Sequence, residues 1–347
     1  LRQRNIDIEY NPGLACKSYF IYGYVMGIDH LRNLVSEDFE AVNHLIIETI
    51  KSPIQLIDDI ANHVIQSGGK RLRCLLVLLA SRACGYEGKE HIMLAAMIEF
   101  FHTATLLHDD VIDDSTLRRG RDTANKIWGN KASILVGDYL FTKYLELMVE
   151  VGDIDIIQLL IGIAPQMGCG EIQQFSNRHN ADLSVEEYFD MIRAKTALLF
   201  AASSAIGALI SKSEHQIQKA MYSYGLHLGN AFQLIDDALD YCSDAQTIGK
   251  NIGDDLATGK ITLPLLQALK HGTAEQQIKI RESLEKGTLL HLPAILAAIT
   301  ETKAIEYTRD IADKEADFAI DALSILPDST YKQALVDLAR YAAHRKH

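Results

Sequence analysis

The chain has 347 residues, 48% hydrophobic and 23% charged, with 34 Lys and Arg against 46 Asp and Glu for a formal charge of −12. That apolar content excludes a disordered chain, and the acidic balance argues against nucleic acid or an anionic membrane as a general partner. Six prolines, five scattered cysteines without a CxxC pair, and no run of ~20 apolar residues argue against a β-sandwich, a disulfide or thiolate-zinc framework, and a membrane span.

Residues 1–25 read as an N-terminal extension, aromatic around 19–24 and preceding the first Met at Met26; residues 26–347 read as one domain. From Leu31 onward the apolar spacing is helical. Leu94, Met97, Ile98, Phe101 and Thr105 recur at three- and four-residue intervals, as do Leu135, Tyr139, Thr142 and Leu145. Polar or glycine-rich breaks fall at 67–69, 85–89, 118–123, 179–184 and 249–260. The spacing therefore predicts an all-α chain. Gly68-Gly69-Lys70-Arg71-Leu72-Arg73 reads as a glycine turn opening into a helix, with Lys70 and Arg73 one turn apart, and Arg118-Arg119-Gly120 reads as a helix end. Pro165 is expected to kink or interrupt its helix. The uncharged stretch 196–211, rich in Ala and Ser, is expected to be a buried core helix.

Two motifs of the form DDxxD carry the chemistry: Asp109-Asp110-Val111-Ile112-Asp113 and Asp236-Asp237-Ala238-Leu239-Asp240, each closing an apolar helical run. Residues four apart share a helix face, so Asp109 projects with Asp113 and Asp236 with Asp240, while Asp110 and Asp237 turn away. Like charges at that spacing destabilise a bare helix, and oxygen ligands without His or Cys favour Mg²⁺. Because Mg²⁺ uses one or two carboxylates and completes its octahedron with water and phosphate oxygens, two such motifs suggest a diphosphate clamped between helices. The bland alternative, a pair of solvated acidic helix ends, is disfavoured by the duplication. Lys70, Arg73, Arg118, Arg119, Lys195, Lys250 and Lys260 supply cations suited to phosphate, although each alone reads as a surface charge.

Together these residues resemble the trans-isoprenyl diphosphate synthases, most closely the long-chain bacterial type that makes octaprenyl diphosphate. The resemblance runs from about Leu31 to the C-terminus through GGKRLR (68–73), HTATLLHDDVID (102–113), RRG (118–120), GExxQ (170–174), Lys195-Thr196, FQLIDDALD (232–240) and GKNIGDDLATGKITLPLL (249–266). It implies a single all-α domain of the isoprenoid-synthase type around a deep central cavity, usually a homodimer. By the family pattern Asp109 and Asp113 would hold two Mg²⁺ ions on the allylic diphosphate, Asp236 a third, and Asp240 would act through metal-bound water. Arg118, Lys195, Thr196, Gln233, Lys250 and Lys260 match allylic-substrate positions. Lys70, Arg73, His102 and Arg119 match the pocket for isopentenyl diphosphate. The implied reaction is ionisation of the allylic C–O bond, attack by the isopentenyl double bond, and proton loss, with the leaving diphosphate as the base. Cys74 replaces a common Pro, Asp114 adds an acid beside the first motif, and Pro165 stands where an ordinary helical residue is expected.

Product length should follow from what lies below the first motif. Ala104 and Thr105 sit about one turn beneath Asp109, where short-chain relatives carry an aromatic plug. Small side chains there predict a product beyond C20, and the resemblance points to about C40 from an allylic primer such as farnesyl diphosphate, for a respiratory-quinone side chain. Phe101, a further turn down, either narrows the tunnel or packs in the core; packing is favoured. Three rivals are weaker. A class I terpene cyclase usually carries an NSE-type second motif, an HD-type phosphohydrolase needs further metal-binding His and Asp residues, and a non-catalytic partner subunit loses the aspartates. A cytoplasmic enzyme that touches the membrane transiently to release product is expected.

Overall fold

Helix follows helix along the computed structural model, which describes residues 27–242 and 252–345. The expected extension 1–25 and Lys250 lie outside them. The order is α1 (Ile28–Asn33), α2 (Ser36–Ile50), α3 (Gln55–Gln66), α4 (Leu72–Ala83), α5 (Glu90–Ile112), β1 (Leu117–Arg118), β2 (Arg121–Asp122), α6 (Ala124–Trp128), α7 (Asn130–Val151) and α8 (Ile154–Ser176). Then come α9 (Val185–Ile192), a π-helical turn (Arg193–Ala197), α10 (Leu198–Ile210), α11 (His215–Leu239), α12 (Asp254–Ala257), α13 (Leu263–His271), α14 (Ala274–Lys286), α15 (Leu292–Glu301), α16 (Ala304–Ala322) and α17 (Thr330–His344). The fold is all-α, as the periodicity predicts.

Local chemistry sets many of the boundaries. Asp153 caps α8 by accepting from the amides of Asp155 and Ile156, and capping boxes open α9 (Ser184 with Glu187) and α14 (Thr273 with Gln276). Pro264 and Pro293 sit in the first turns of α13 and α15, where a missing amide costs nothing. Of the kink or interruption expected at Pro165, the interruption does not occur: α8 runs on through it. Pro165 lies on the exposed side of the helix, where the amide that proline lacks is missing without a buried polar group left over from it.

At the centre stands α10, buried on every side from Leu198 to Ala208. The helical run Val185–Ile210 is long and apolar enough to cross a bilayer, yet most of it is packed inside the fold, as expected of a core helix. Its neighbours approach closely because glycines face the contacts. A Cβ on Gly207 would fall 2.5 Å from the Ala80 carbonyl carbon on α4, and one on Gly225 of α11 would fall 2.3 Å from the Phe200 carbonyl oxygen. One apolar core joins α4, α5, α7, α10 and α17. A second, with Tyr188, Leu234, Leu265, Ile280 and Ile299, secures α13–α16 against α9; α11 contributes to both.

Two local readings need correction. Arg118-Arg119-Gly120 is not a helix end but a hairpin, in which Leu117 pairs with Asp122 and Arg118 with Arg121. Its two turn residues, Arg119 and Gly120, both have positive φ (53° and 73°), as a type I′ turn requires. Lys70 lies in the glycine turn rather than the helix, since α4 begins at Leu72 after Arg71 in a left-handed conformation. The α10–α11 contact predicts that Gly225→Ala destabilises the protein by ~1–3 kcal/mol through overpacking, read by equilibrium denaturation.

Candidate active site

Both aspartate motifs occupy the last turn of a long helix. Asp109 and Asp110 end α5 with Asp113 as its C-cap; Asp236 and Asp237 end α11 with Asp240 as its C-cap. The C-terminus is the negative end of the helix dipole, so these carboxylates are doubly disfavoured and need external cations. Each has them. Lys260 Nζ lies 2.5 Å from Asp113, which also pairs with Arg178. Lys195 Nζ lies 3.8 Å from Asp109, and Arg345 pairs with Asp236. Burial pushes Asp109 up to about 6, with Lys195 opposing and Glu171 and Asp113 adding to the rise. Burial also works against ionised Asp113, but Lys260, Lys195 and Arg178 outweigh it and hold its pKa below the ordinary range.

The inner aspartates are structural supports. Asp110 is buried and accepts a fork from Arg118, Nη2 at 2.7 Å and Nε at 2.9 Å. Asp237 is buried and accepts from Tyr188 Oη (2.5 Å) and Gln233 Nε2 (2.8 Å). Burial raises Asp237 to about 8, Asp255 adding to the rise while Tyr188 and Gln233 oppose it. Asp240 takes a different partner from Asp236: its Oδ2 accepts from the Asp255 amide (3.3 Å), which ties the start of α12 to the end of α11.

Lys195 and Thr196 sit in the π-helical turn between α9 and α10. Such a turn widens the helix by one residue, and the neighbours make room. A Cβ on Gly170 of α8 would fall 2.5 Å from Ala194 Cβ, and one on Gly229 of α11 would fall 2.5 Å from Ala197 Cα. The Lys195 ammonium is held by Glu171 (2.6 Å) and Gln174 (2.7 Å), while Thr196 Oγ1 donates to Gln233 Oε1 (2.9 Å).

Beside these acids lies a cationic group. Arg73 Nη1 donates to His102 Nε2 (3.2 Å), and its guanidinium lies 4.4 Å from the centre of the Phe200 ring. His102 therefore accepts as a neutral imidazole, its pKa held well down by burial and by Arg73, Arg119 and Arg118. Arg119 donates to the Gly68 carbonyl, and a Cβ on Gly69 would overlap its guanidinium. Burial lowers Lys70 to about 8, and Arg345, Arg119 and Arg32 lower it further against the pull of Asp236. Burial likewise lowers Arg73 to about 10. These cations repel one another, a strain that an anion would relieve.

The structure thus brings Asp109, Asp113, Lys195, Thr196, Gln233 and Lys260 into one network, and Lys70, Arg73, His102 and Arg119 into a second. Arg118 is committed to Asp110. Sequence reading assigned no role to Glu171, Gln174, Arg178, Tyr188 or Arg345. The first two lie in a quoted motif at a spacing that shares a face; the others meet their partners only through the fold. Below Asp109, Ala104 is buried and Thr105 donates to the His102 carbonyl, while Phe101 packs against Tyr144 (ring centres 5.0 Å apart) and Phe141 (6.0 Å) of α7. Among the described residues no three His, Cys, Asp or Glu side chains gather as a metal cage. The oxygen-only donors Asp109, Asp113 and Asp236 nevertheless fit a hard cation that takes few protein ligands and completes its shell elsewhere.

Comparison with known proteins shows the family of the chain. The family model described as polyprenyl synthetase matches residues 54–298. The chain is 43% identical to octaprenyl diphosphate synthase of Escherichia coli (strain K12) over 321 residues, covering 92% of this chain and 99% of that one. It is 41% identical to the all-trans-nonaprenyl-diphosphate synthase (geranyl-diphosphate specific) of Rhodobacter capsulatus, covering 92% and 99%. Polyprenyl synthase from Caulobacter crescentus CB15, solved with calcium and isoprenyl diphosphate, superposes with a TM-score of 0.91 at 39% identity, covering 94% of this chain and all of that one.

A lysine with a pKa near 8 loses its charge as pH rises through that value. The affinity of the free protein for inorganic diphosphate should therefore fall above pH 8, and Lys70→Arg should move that fall to higher pH. Titration calorimetry at pH 7, 8 and 9 checks both.

Proposed function

Since the chain belongs to the polyprenyl synthetase family, we propose that it is a Mg²⁺-dependent long-chain trans-polyprenyl diphosphate synthase, adding isopentenyl diphosphate to an allylic diphosphate such as farnesyl diphosphate and stopping near C40. The observation that carries the reading is that one aspartate-bearing helix end gathers Lys195, Lys260 and Arg178 around Asp109 and Asp113, while Asp236 of the other acts on the cationic group of Lys70, Arg73 and Arg119. Asp109, Asp113 and Asp236 are the residues that would hold the metal, three ions in the family pattern. Bound there, Mg²⁺ supplies positive charge to the diphosphate that leaves.

In this reading Lys195 and Lys260 orient the allylic diphosphate and stabilise the charge it gains as the C1–O bond breaks and the electron pair departs with it. Lys70, Arg73 and Arg119 bind isopentenyl diphosphate, and neutral His102 holds Arg73. The isopentenyl double bond attacks the allylic carbon, a C–C bond forms, and loss of a proton from the product cation to the released diphosphate regenerates an allylic diphosphate one unit longer. Thr196 and Gln233 offer neutral oxygens near the cation. The deep cavity that the family resemblance implies would exclude water that would trap it. Ala104 and Thr105 leave the tail room below the metal, and Phe101 packs against α7. The second complete DDxxD motif favours this reading over a cyclase, and among the described residues no His-containing cluster suited to metal appears, which disfavours a phosphohydrolase.

We also infer a homodimer. Leu135 and Val149 of α7 and Ile172 and Phe175 of α8 are large apolar side chains left 57–74% exposed, as a surface covered by a second copy would be. The four described cysteines are free thiols, in keeping with the reducing cytoplasm, where release of a long prenyl product would involve passing contact with membrane.

Incubation with Mg²⁺, farnesyl diphosphate and labelled isopentenyl diphosphate should give a ladder ending at about C40 that EDTA abolishes, resolved by mass. Ala104→Tyr should shorten the ladder to C20 or below, and unchanged length would overturn the tunnel argument. Val149→Asp should yield a monomer by light scattering.

A further inference from the structure

Two consecutive residues just past the end of α8 hold both sides of the contact between Asp113 and Lys260. Arg178 takes the acidic side: its Nη1 donates to the Ile112 carbonyl (3.3 Å) at the end of α5, and its Nη2 pairs with Asp113. His179 takes the segment that carries Lys260. Its backbone amide donates to the Gly259 carbonyl (2.8 Å), and its ring donates from Nδ1 to the Leu284 carbonyl (2.6 Å) in the last turn of α14. A carbonyl only accepts, so the hydrogen of that bond sits on Nδ1 whatever the state of Nε2.

The surroundings are shaped to this ring. His179 has a φ of 64°, in the left-handed region, which histidine and asparagine enter more readily than most side chains. Gly259 is buried at a φ of 70°, and a Cβ there would overlap the imidazole at Nδ1 and Cε1, so the ring rests on the glycine backbone. On the side of α14, a Cβ on Gly287 would fall 3.3 Å from Cε1. The consequence reaches Lys260, whose backbone follows Gly259 directly. Its amide donates to the Asp255 carbonyl (2.8 Å), and its ammonium lies 2.5 Å from Asp113.

We propose that His179 is a positioning residue for prenyl transfer: by tying Gly259 to the end of α8 and to α14, it sets Lys260 where its ammonium meets the allylic diphosphate. This rests on the role of Lys260 proposed above. Both hydrogen bonds of His179 end on backbone carbonyls, so it acts through the position of the chain rather than through charge. Because Arg178 is its neighbour, a single short segment fixes the acidic helix end and the cation that faces it in one register. Such placement matters for rate, since a cation displaced by about 1 Å from a departing diphosphate loses much of its effect on the transition state.

The test is a double-mutant cycle on the single-turnover rate of the first condensation with Mg²⁺, farnesyl diphosphate and isopentenyl diphosphate, run well below the melting temperature of every variant. Lys260→Met should lower the rate about a hundred-fold, since it removes a cation from the departing diphosphate. His179→Gly keeps the left-handed backbone but loses the ring, and should lower the rate about ten-fold with the KM of isopentenyl diphosphate unchanged. His179→Asn keeps that backbone too and puts an amide N–H where Nδ1 stood, so it should restore most of the rate. In the Lys260→Met background His179→Gly should cost nothing further, as no ammonium is left to place. A His179→Gly enzyme at full rate, a His179→Asn enzyme as slow as His179→Gly, or two effects that multiply overturns the proposal and leaves the role of Lys260 intact. A Lys260→Met enzyme at full rate overturns that role and the proposal with it. Gly259→Ala, which presses a Cβ against the ring, displaces the same segment from the other side and must show the same lack of further effect beside Lys260→Met; a multiplying effect there also overturns the proposal.

Discussion

Carboxylates at the negative ends of two helices are the constraint on which the rest of this structure depends. Asp109 and Asp113 end α5, and Asp236 ends α11; no local arrangement stabilises them there. The protein answers with long-range cations. Lys195 comes from the π-helical turn, Arg178 from the end of α8, Lys260 from the segment after α12, and Arg345 from beyond α17. Four distant parts of the chain are thereby pinned to the two acidic helix ends. Under the proposed function, metal bound by the carboxylates would free these cations for phosphate, so one charge balance would serve both the free and the loaded protein.

Close helix packing serves that arrangement. The π-helical turn brings Lys195 and Thr196 into the site together, and it fits only because Gly170 and Gly229 present no side chain to it. Behind it, α10 is buried on every side, so the turn has a rigid base. The buried partners Asp110 and Asp237 then hold Arg118 and Gln233 in single orientations, which limits the reorganisation left for the reaction itself.

Much of this was legible in the sequence, because helical spacing is local. The i,i+4 register alone sets Asp109 with Asp113 and turns Asp110 inward, and the apolar period marks α5, α7 and the buried α10. What was not legible depends on tertiary contact. Two-residue strands carry no alternation, so the hairpin holding Arg119 was read as a helix end. The extra residue of the π-helical turn is set by glycines on other helices, 24 positions before Ala194 in one case. Arg345 lies 109 residues from Asp236, and Tyr188 lies 49 from Asp237, with no periodicity linking either pair. Pro165 is the reverse case: an interior proline predicts a kink or an interruption, yet on this exposed face the helix continues without interruption.

The central claim is that the aspartates do not form a finished metal site and that the substrate's own phosphates complete it. Calorimetric titration of Mg²⁺ into the protein, with and without saturating inorganic diphosphate, tests this most directly. The account predicts no saturable binding of Mg²⁺ alone and clear binding when diphosphate is present, lost in Asp113→Asn. Equal Mg²⁺ affinity with and without diphosphate would contradict it.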